Sequence, residues 1–234
     1  RTLRPGAFRA ADGQAFDTNG VWSAVARDVC SNGWYRADAA AHPAVAGANA
    51  LLRGGRRLVV PARTRLRLLW DLGDYVCAYP GLAVSGGAGA RVAWGWAESL
   101  YTGDAFDWHT VVEGKERKGR TSRAAWADKY FYGNADVFRP DGRAGARFTT
   151  PWWRCGRWCQ LEVETADAPL SLDALSLAET RYPLEAEGYF RCDDPTVADV
   201  WRLCVRGLQM CAHEMHFDCP YYEQQMYGGD TRIQ

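Results

Sequence analysis

Along most of the chain, apolar residues recur at a period of about two, in short runs separated by Gly, Asp and Pro. This pattern is typical of the short strands of an antiparallel β-sandwich. It predicts a mainly β fold class for residues 1–185. The predicted strands are 57–60, 64–72, 82–85, 91–100, 129–132, 145–150, 152–165 and 172–180.

Turn residues divide these predicted strands. Pro61 separates the first two, Tyr79-Pro80-Gly81 predicts a turn before 82–85, and Gly86-Gly87 predicts a hairpin turn. Strand 64–72 alternates polar and apolar residues, so we expect one buried face and one wet face. No Lys-Ser or Lys-Thr follows the glycine pair, which excludes a phosphate-binding loop at this position.

The hydrophobic period changes from two to 3.6 near Tyr189. Asp193 or Asp194 is a suitable cap and Pro195 suits a first turn, so a helix is predicted over 194–216. One helix cannot bury its own apolar stripe, and we expect the isolated chain to aggregate or associate through it, which allows a homo-oligomer. The stripe consists of Val197, Val200, Trp201, Cys204, Leu208, Cys211 and Met215.

Charge and length exclude two classes of partner. Lys plus Arg and Asp plus Glu number 28 each among 234 residues, so the formal net charge is zero and no nucleic acid is expected as a partner. No apolar run reaches the roughly 18 residues of a membrane span, so no membrane partner is expected. The chain opens without Met or a signal peptide and stops on a predicted helical turn, so we expect a piece of a longer protein.

The eight cysteines lack paired C-x-x-C spacing, so we expect free structural thiols, no metal site and no cofactor. Cys204 and Cys211 lie one heptad apart, which predicts small core residues on the helix. His213 and His216 are expected at the end of that helix rather than on a metal. The mixed-charge run 113–120 is expected to be a solvated loop.

The eleven tryptophans allow two interpretations, because flat aromatic faces stack on sugars and also fill cores. Trp152, Trp153 and Trp158 lie in a β pattern, where alternation sends about half of the side chains inward. We expect these three rings in the core. An exposed coplanar pair would instead indicate carbohydrate binding.

The candidate chemistry is concentrated in residues 217–232, which contain three carboxylates, three tyrosines and a glycine pair. Loops between rigid elements often carry catalytic groups, and carboxylates beside aromatic rings suit a sugar. The alternative is a plain connection between two helices. In that case Asp218 and Asp230 cap helices and the tyrosines pack.

The run Asp218-Cys219-Pro220, followed by Glu223, Tyr227 and Gly229-Asp230, resembles the signature of the bacterial α-L-rhamnosidases of glycoside hydrolase family 78. The resemblance implies that Glu223 is the general acid that protonates the leaving oxygen. It implies that Asp218 and Asp230 hold sugar hydroxyls. It also places Tyr227 where the family usually has a tryptophan platform.

The same resemblance implies an accessory β-sandwich over 1–185, then a linker and the first helix of a truncated (α/α)6 barrel over 186–234. It implies inverting hydrolysis of terminal α-L-rhamnosyl or related glycosides, with a general-base Glu beyond Gln234. The carbohydrate is then the partner, and this chain alone is expected to be inactive. Tyr222 stands where the family commonly has an arginine, which leaves the sugar open. The alternative function is a non-catalytic carbohydrate-binding β-sandwich module.

Overall fold

The computed structural model describes residues 2–3, 6–15, 33–101, 122–184 and 187–234. Its strands are β1 (Thr2–Leu3), β2 (Ala7–Ala15), β3 (Gly33–Tyr35), β4 (Leu58–Val60), β5 (Thr64–Gly86), β6 (Arg91–Ala97), β7 (Lys129–Phe131), β8 (Asn134–Phe138), β9 (Gly142–Phe148), β10 (Arg154–Glu164) and β11 (Leu170–Glu179). Its helices are α1 (Pro43–Leu52), α2 (Pro195–Cys211) and α3 (Gly228–Ile233), and a 3-10 helix spans Ala37–Ala41. The strand pairs are antiparallel and are followed by helices, which confirms the predicted fold class.

Strand β5 lies at the centre of the main sheet and changes pairing partners on both of its edges. One of its edges pairs first with β2 and then with β11, and the other pairs first with β10 and then with β9. The exchange on the first edge falls between Asp71 and Ala78. Gly73 lies there with a φ of 81°, a left-handed conformation that favours glycine.

The prediction of a turn at Tyr79-Pro80-Gly81 is wrong, because β5 is continuous through these residues. The β10 ladder ends at Ala78 and the β9 ladder begins at Leu82. On that edge Pro80 lies between the two ladders, and on the other edge it is opposite Leu177 of β11. A proline that reads as a turn in the sequence is therefore accommodated inside the longest strand of the sandwich.

The prediction that one face of strand 64–72 is solvent-exposed is also wrong, except at its first residues. Leu68 and Trp70 pack in the larger of two apolar clusters, and Leu69 packs in the smaller one. Both faces of β5 are therefore covered. The glycine turn after β5 is confirmed, since Gly86 and Gly87 have φ angles of 75° and 68° between β5 and β6.

Helix α1 interrupts the region that the sequence predicts to be β. His42 caps it through Nδ1, which accepts a hydrogen bond from the Ala44 N–H at 3.2 Å, and Pro43 occupies its first turn. Leu51 and Leu52 are buried against the sandwich. Alanine and leucine favour a helix, but so short a run of small residues shows no clear period of 3.6.

Two carboxylates are buried with arginine partners in the sandwich. Glu162 of β10 pairs with Arg91 at 2.9 Å and with Arg65 at 3.2 Å. Asp71 of β5 pairs with Arg157 at 3.0 Å. Buried charges of this kind are tolerated only when they are paired and hydrogen-bonded.

Helix α2 confirms the predicted helix, although it ends at Cys211 rather than near residue 216. Asp194 is its N-cap and accepts a hydrogen bond from the Thr196 N–H at 2.8 Å. Its apolar stripe is largely uncovered, because Val200 and Trp201 are 51% and 45% exposed while Leu208 is half-buried. Cys204, expected in a core, is exposed in this structure.

The C-terminal residues pack directly onto the β-sandwich. Met210, Phe217 and Tyr221 belong to the same buried cluster as Trp70 and Trp96. The segment that follows α2 is therefore part of the hydrophobic core. This packing fixes the position of the residues from 217 onwards.

The charged run 113–120 and Cys30 lie outside the described residues. No helix in the described part of the chain is long and apolar enough to cross a membrane. Within these same ranges, no group of His, Cys, Asp and Glu side chains could hold a metal ion. The cysteines in the described ranges are free thiols, as predicted: Cys77, Cys155, Cys159, Cys192, Cys204, Cys211 and Cys219.

Candidate active site

Residues 218–227, which we call the site loop, form a closed turn between the end of α2 and the start of α3. The Asp218 N–H donates to the Gln225 carbonyl at 2.8 Å, and the Gln225 N–H donates back to an Asp218 carboxylate oxygen at 3.1 Å. The Gln224 N–H donates to the Cys219 carbonyl at 3.3 Å. These bonds leave Glu223 exposed on the turn.

Glu223 and Tyr227 are brought into contact by this turn. The Tyr227 hydroxyl donates to Oε2 of Glu223 at 2.6 Å. That hydrogen bond, followed by slight burial and by the charges of Glu223, Asp218 and Asp230, raises the pKa of Tyr227 to about 12. The phenol is therefore protonated at neutral pH and available as a donor.

Asp218 is held as a carboxylate. Burial raises its pKa, but hydrogen bonds from the backbone N–H groups of Gln225 and Cys219 and from the Cys219 side chain outweigh that effect and lower the pKa below its usual value. A carboxylate in this state can accept hydrogen bonds from sugar hydroxyls.

Asp230 lies in the first turn of α3 and is exposed. Its charge makes a minor contribution to the raised pKa of Tyr227. The N-cap of α3 is Tyr227, and Asp218 lies in the loop with its carboxylate on Gln225. Neither aspartate therefore has the capping role that a plain helical connection would give it.

The sandwich anchors the tip of the site loop. The Tyr221 hydroxyl donates to the Trp96 carbonyl at 2.6 Å, and both residues are buried. A Cβ on Gly133 would come within 1.8 Å of that carbonyl oxygen, so glycine is required beside this contact. The Cys155 thiol donates to the Pro220 carbonyl at 2.7 Å, and burial raises the pKa of that thiol, which keeps it protonated.

A second anchor reaches the residue directly after Glu223. The indole Nε1 of Trp152 donates to the side-chain oxygen of Gln224 at 2.6 Å. The side-chain amide of Gln224 in turn donates to the Pro220 carbonyl at 2.9 Å. Gln224 has a φ of 54°, in the left-handed region that a side chain rarely adopts.

An aromatic stack supports this corner of the molecule. Trp152 lies 5.8 Å from Trp153 at an interplanar angle of 27°, and Trp153 stacks on His213 at 4.0 Å and 9°. Phe217 completes the stack, 5.8 Å from Trp153. His213 follows the end of α2, as predicted, and its role is packing.

A cleft of about 710 Å³ opens beside the site loop. Its walls come from the sandwich, from the segment after α2 and from the residues that follow Glu223. Its size lies within the usual range of small-molecule sites, and an indole beside amides and a carboxylate suits a sugar ring. The lining residues are Trp152, Glu214, Met215, Phe217, Gln224, Gln225 and Met226.

Sequence reasoning missed Trp152 and Gln224. Trp153 and Trp158 are buried as predicted, but Trp152 is 45% exposed. It lies in a bend before β10, which begins at Arg154, so the alternation of a strand does not apply to it. The Pro151 that precedes the tryptophan pair was the available signal for that bend.

Comparison with known proteins finds a similar domain for the C-terminal part of the chain. Residues 185–234 match the bacterial alpha-L-rhamnosidase 6 hairpin glycosidase domain. No curated protein sequence matches the chain.

Two solved structures share the fold. The family 78 rhamnosidase of Bacillus sp. GL1 is 22% identical, with a TM-score of 0.55 over 78% of this chain and 18% of that one. A rhamnosidase from Klebsiella oxytoca with rhamnose bound is 16% identical, with a TM-score of 0.57 over 96% of this chain and 38% of that one. The chain thus spans well under half of either protein.

The motif, the matched domain and the shared fold agree with one another. The chain therefore resembles the rhamnosidases: its residues 185–234 match a bacterial alpha-L-rhamnosidase 6 hairpin glycosidase domain, and its fold is similar to part of two rhamnosidase structures.

Proposed function

We propose that this chain is the N-terminal part of an inverting glycoside hydrolase that acts on terminal α-L-rhamnosyl or related glycosides. The observation that carries the proposal is the site loop, in which Glu223 is exposed in contact with Tyr227 within the stretch that matches the glycosidase domain. In this proposal residues 1–185 are the accessory domain and 186–234 begin the catalytic one.

Each polar residue of the loop has a role in the proposal. Glu223 is the general acid that gives its proton to the departing glycosidic oxygen. Asp218 and Asp230 accept hydrogen bonds from sugar hydroxyls, and the low pKa of Asp218 supports its share of this role. Tyr227 orients Glu223 before the sugar binds and offers its ring to the sugar afterwards.

The second catalytic group lies outside this chain in the proposal. An inverting enzyme places its general base about 6.5–9.5 Å from the acid, on the opposite face of the sugar, so that a water molecule fits between them. Asp218 and Asp230 sit on the same short segment as Glu223 and are already assigned to the sugar. The resemblance to the rhamnosidases implies a Glu beyond Gln234 as the base, so in this proposal the isolated chain hydrolyses nothing.

A second function is favoured by one observation. The exposed indole of Trp152 lines the 710 Å³ cleft, as expected of a module that binds carbohydrate without cleaving it. In that function Trp152 is essential and Glu223 is dispensable.

The test is a panel of nitrophenyl glycosides offered to the longer protein that contains this chain. We expect hydrolysis of the α-L-rhamnoside, with the β-anomer of rhamnose as the first product detected by NMR. Hydrolysis with retention would contradict the inverting mechanism. Sugar binding by calorimetry with no hydrolysis of any glycoside would favour the binding module.

A further inference from the structure

We propose that Trp152 of the β-sandwich is a positioning residue for the Glu223 carboxyl and acts on it through Gln224. The inference rests on the proposed function, because it assigns Glu223 as the acid. It adds that the accessory domain holds the catalytic acid in place, which gives the sandwich a direct part in the reaction.

The contact that carries the inference is the hydrogen bond from Trp152 Nε1 to Gln224 Oε1, at 2.6 Å. The same amide donates through Nε2 to the Pro220 carbonyl at 2.9 Å. One side chain therefore ties the sandwich to both ends of the segment that contains Glu223. Truncation of either partner breaks this bridge.

The bridge supports a strained backbone at Gln224, together with the backbone hydrogen bonds that close the site loop. Its φ of 54° is unfavourable for any residue with a side chain, and it persists only where the surroundings enforce it. Gln224 directly follows Glu223, so its dihedral angles set the course of the chain on one side of the acid. When the bridge is lost, the chain relaxes toward a negative φ and the carboxyl moves.

The donor itself is rigid. Trp152 stacks on the buried Trp153, whose other contacts include His213 at 4.0 Å. The Trp152 carbonyl accepts a hydrogen bond from the Thr150 hydroxyl at 2.5 Å. The indole N–H is thus held in place by the core, and its hydrogen bond to Gln224 holds the loop in a fixed position relative to the sandwich.

The test is Trp152→Phe in the longer protein, assayed on an α-L-rhamnoside with a poor leaving group and on one with an activated phenolate. The variant keeps an aromatic ring and removes the N–H donor. We expect kcat/KM to fall about tenfold on the poor leaving group, as for the loss of one hydrogen bond, and less than about threefold on the activated one. Rhamnose binding should change much less than turnover, because phenylalanine keeps an aromatic ring in the wall of the cleft.

Gln224→Leu removes the acceptor and should give the same split between substrates. The double variant should lose no more than either single one, because both break one bridge. Trp126→Phe is the matched control, since Trp126 packs against the smaller apolar cluster of the sandwich, and it should leave both rates unchanged.

Three results separate the possible failures. Equal losses on both substrates for Trp152→Phe would overturn the inference, because a general loss of stability gives that result. Unchanged rates for Trp152→Phe, beside a Glu223→Gln variant that is impaired only on the poor leaving group, would overturn the inference alone. A Glu223→Gln variant with no preference between leaving groups would overturn the proposed function and the inference with it.

Discussion

Individual hydrogen bonds determine where the proposed acid points. Glu223 is held at its carboxylate by the Tyr227 hydroxyl and at its backbone by a bond from its N–H to the sulfur of Cys219 at 3.3 Å. In our proposal the phenol keeps the carboxyl oriented until a glycoside enters. The raised pKa of Tyr227 is the observable consequence of this pair.

The Tyr227 phenol should titrate near pH 12 rather than near 10, and in a Glu223→Gln variant its pKa should fall, because a neutral amide accepts more weakly and does not repel the phenolate. A raised pKa means that the contact is fully formed below the ordinary value and is lost as the pH rises through about 12. An ultraviolet difference titration against Tyr227→Phe isolates this one phenol. Titration at the ordinary value in the parent chain would contradict the contact.

The motif residues could be predicted from the sequence, and the residues that hold them could not. Asp218, Glu223 and Tyr227 stand at spacings that resemble a known signature, and the structure gathers these three on one turn. Trp152 lies 72 positions before Gln224 along the chain. No local pattern predicts a contact over that distance.

The elements show where periodicity predicts well and where it does not. Most strands and α2 follow the apolar pattern, since burial on one face imposes that pattern on the sequence. β5 departs from the alternating pattern because apolar clusters cover both of its faces. Pro80 lies inside β5 although its sequence context predicts a turn. Helix α1 forms because alanine and leucine favour a helix, although its apolar residues show no clear period.

At the level of a single strand, the buried Glu162 of β10 should contribute strongly to the free energy of unfolding. Glu162→Ala removes the carboxylate nearest to the buried Arg91 and leaves it Glu164 at 4.0 Å, and loss of one partner of a buried pair costs about 3–5 kcal/mol. Chemical denaturation should report a loss of this size. Asp167→Ala is the control, because its pair with Arg63 is exposed and should change stability by less than about 0.5 kcal/mol. Equal effects of the two changes would contradict the buried pair.

Across the whole molecule, the C-terminal segment has a covered part and an uncovered part. Met210, Phe217 and Tyr221 are buried in the sandwich core. Val200 and Leu203 of α2 are 51% and 72% exposed. The covered part fixes the site loop, and the uncovered part is the surface on which the remainder of a helical barrel would pack in our proposal.

The isolated chain should therefore self-associate through the exposed face of α2. Light scattering should give a mass above that of one chain, and Trp201→Lys should restore the monomer by placing a charge in the apolar patch. Asp199→Lys puts the same side chain on the helix outside the apolar stripe, where it breaks only the exposed pair of Asp199 with Arg202, and should leave the association in place. A monomeric parent chain would contradict this prediction.

The central claim is that Glu223 is the general acid of a glycosidase, and leaving-group dependence tests it most directly. In the longer protein, Glu223→Gln should lower kcat/KM about 10²- to 10⁴-fold on a glycoside with a poor leaving group, because the amide cannot give a proton. An activated phenolate needs less protonation, so its hydrolysis should fall much less. Asp230→Asn should reduce both rates alike, as expected for a sugar contact. Equal losses on both substrates for Glu223→Gln, or no loss on either, would contradict the assignment.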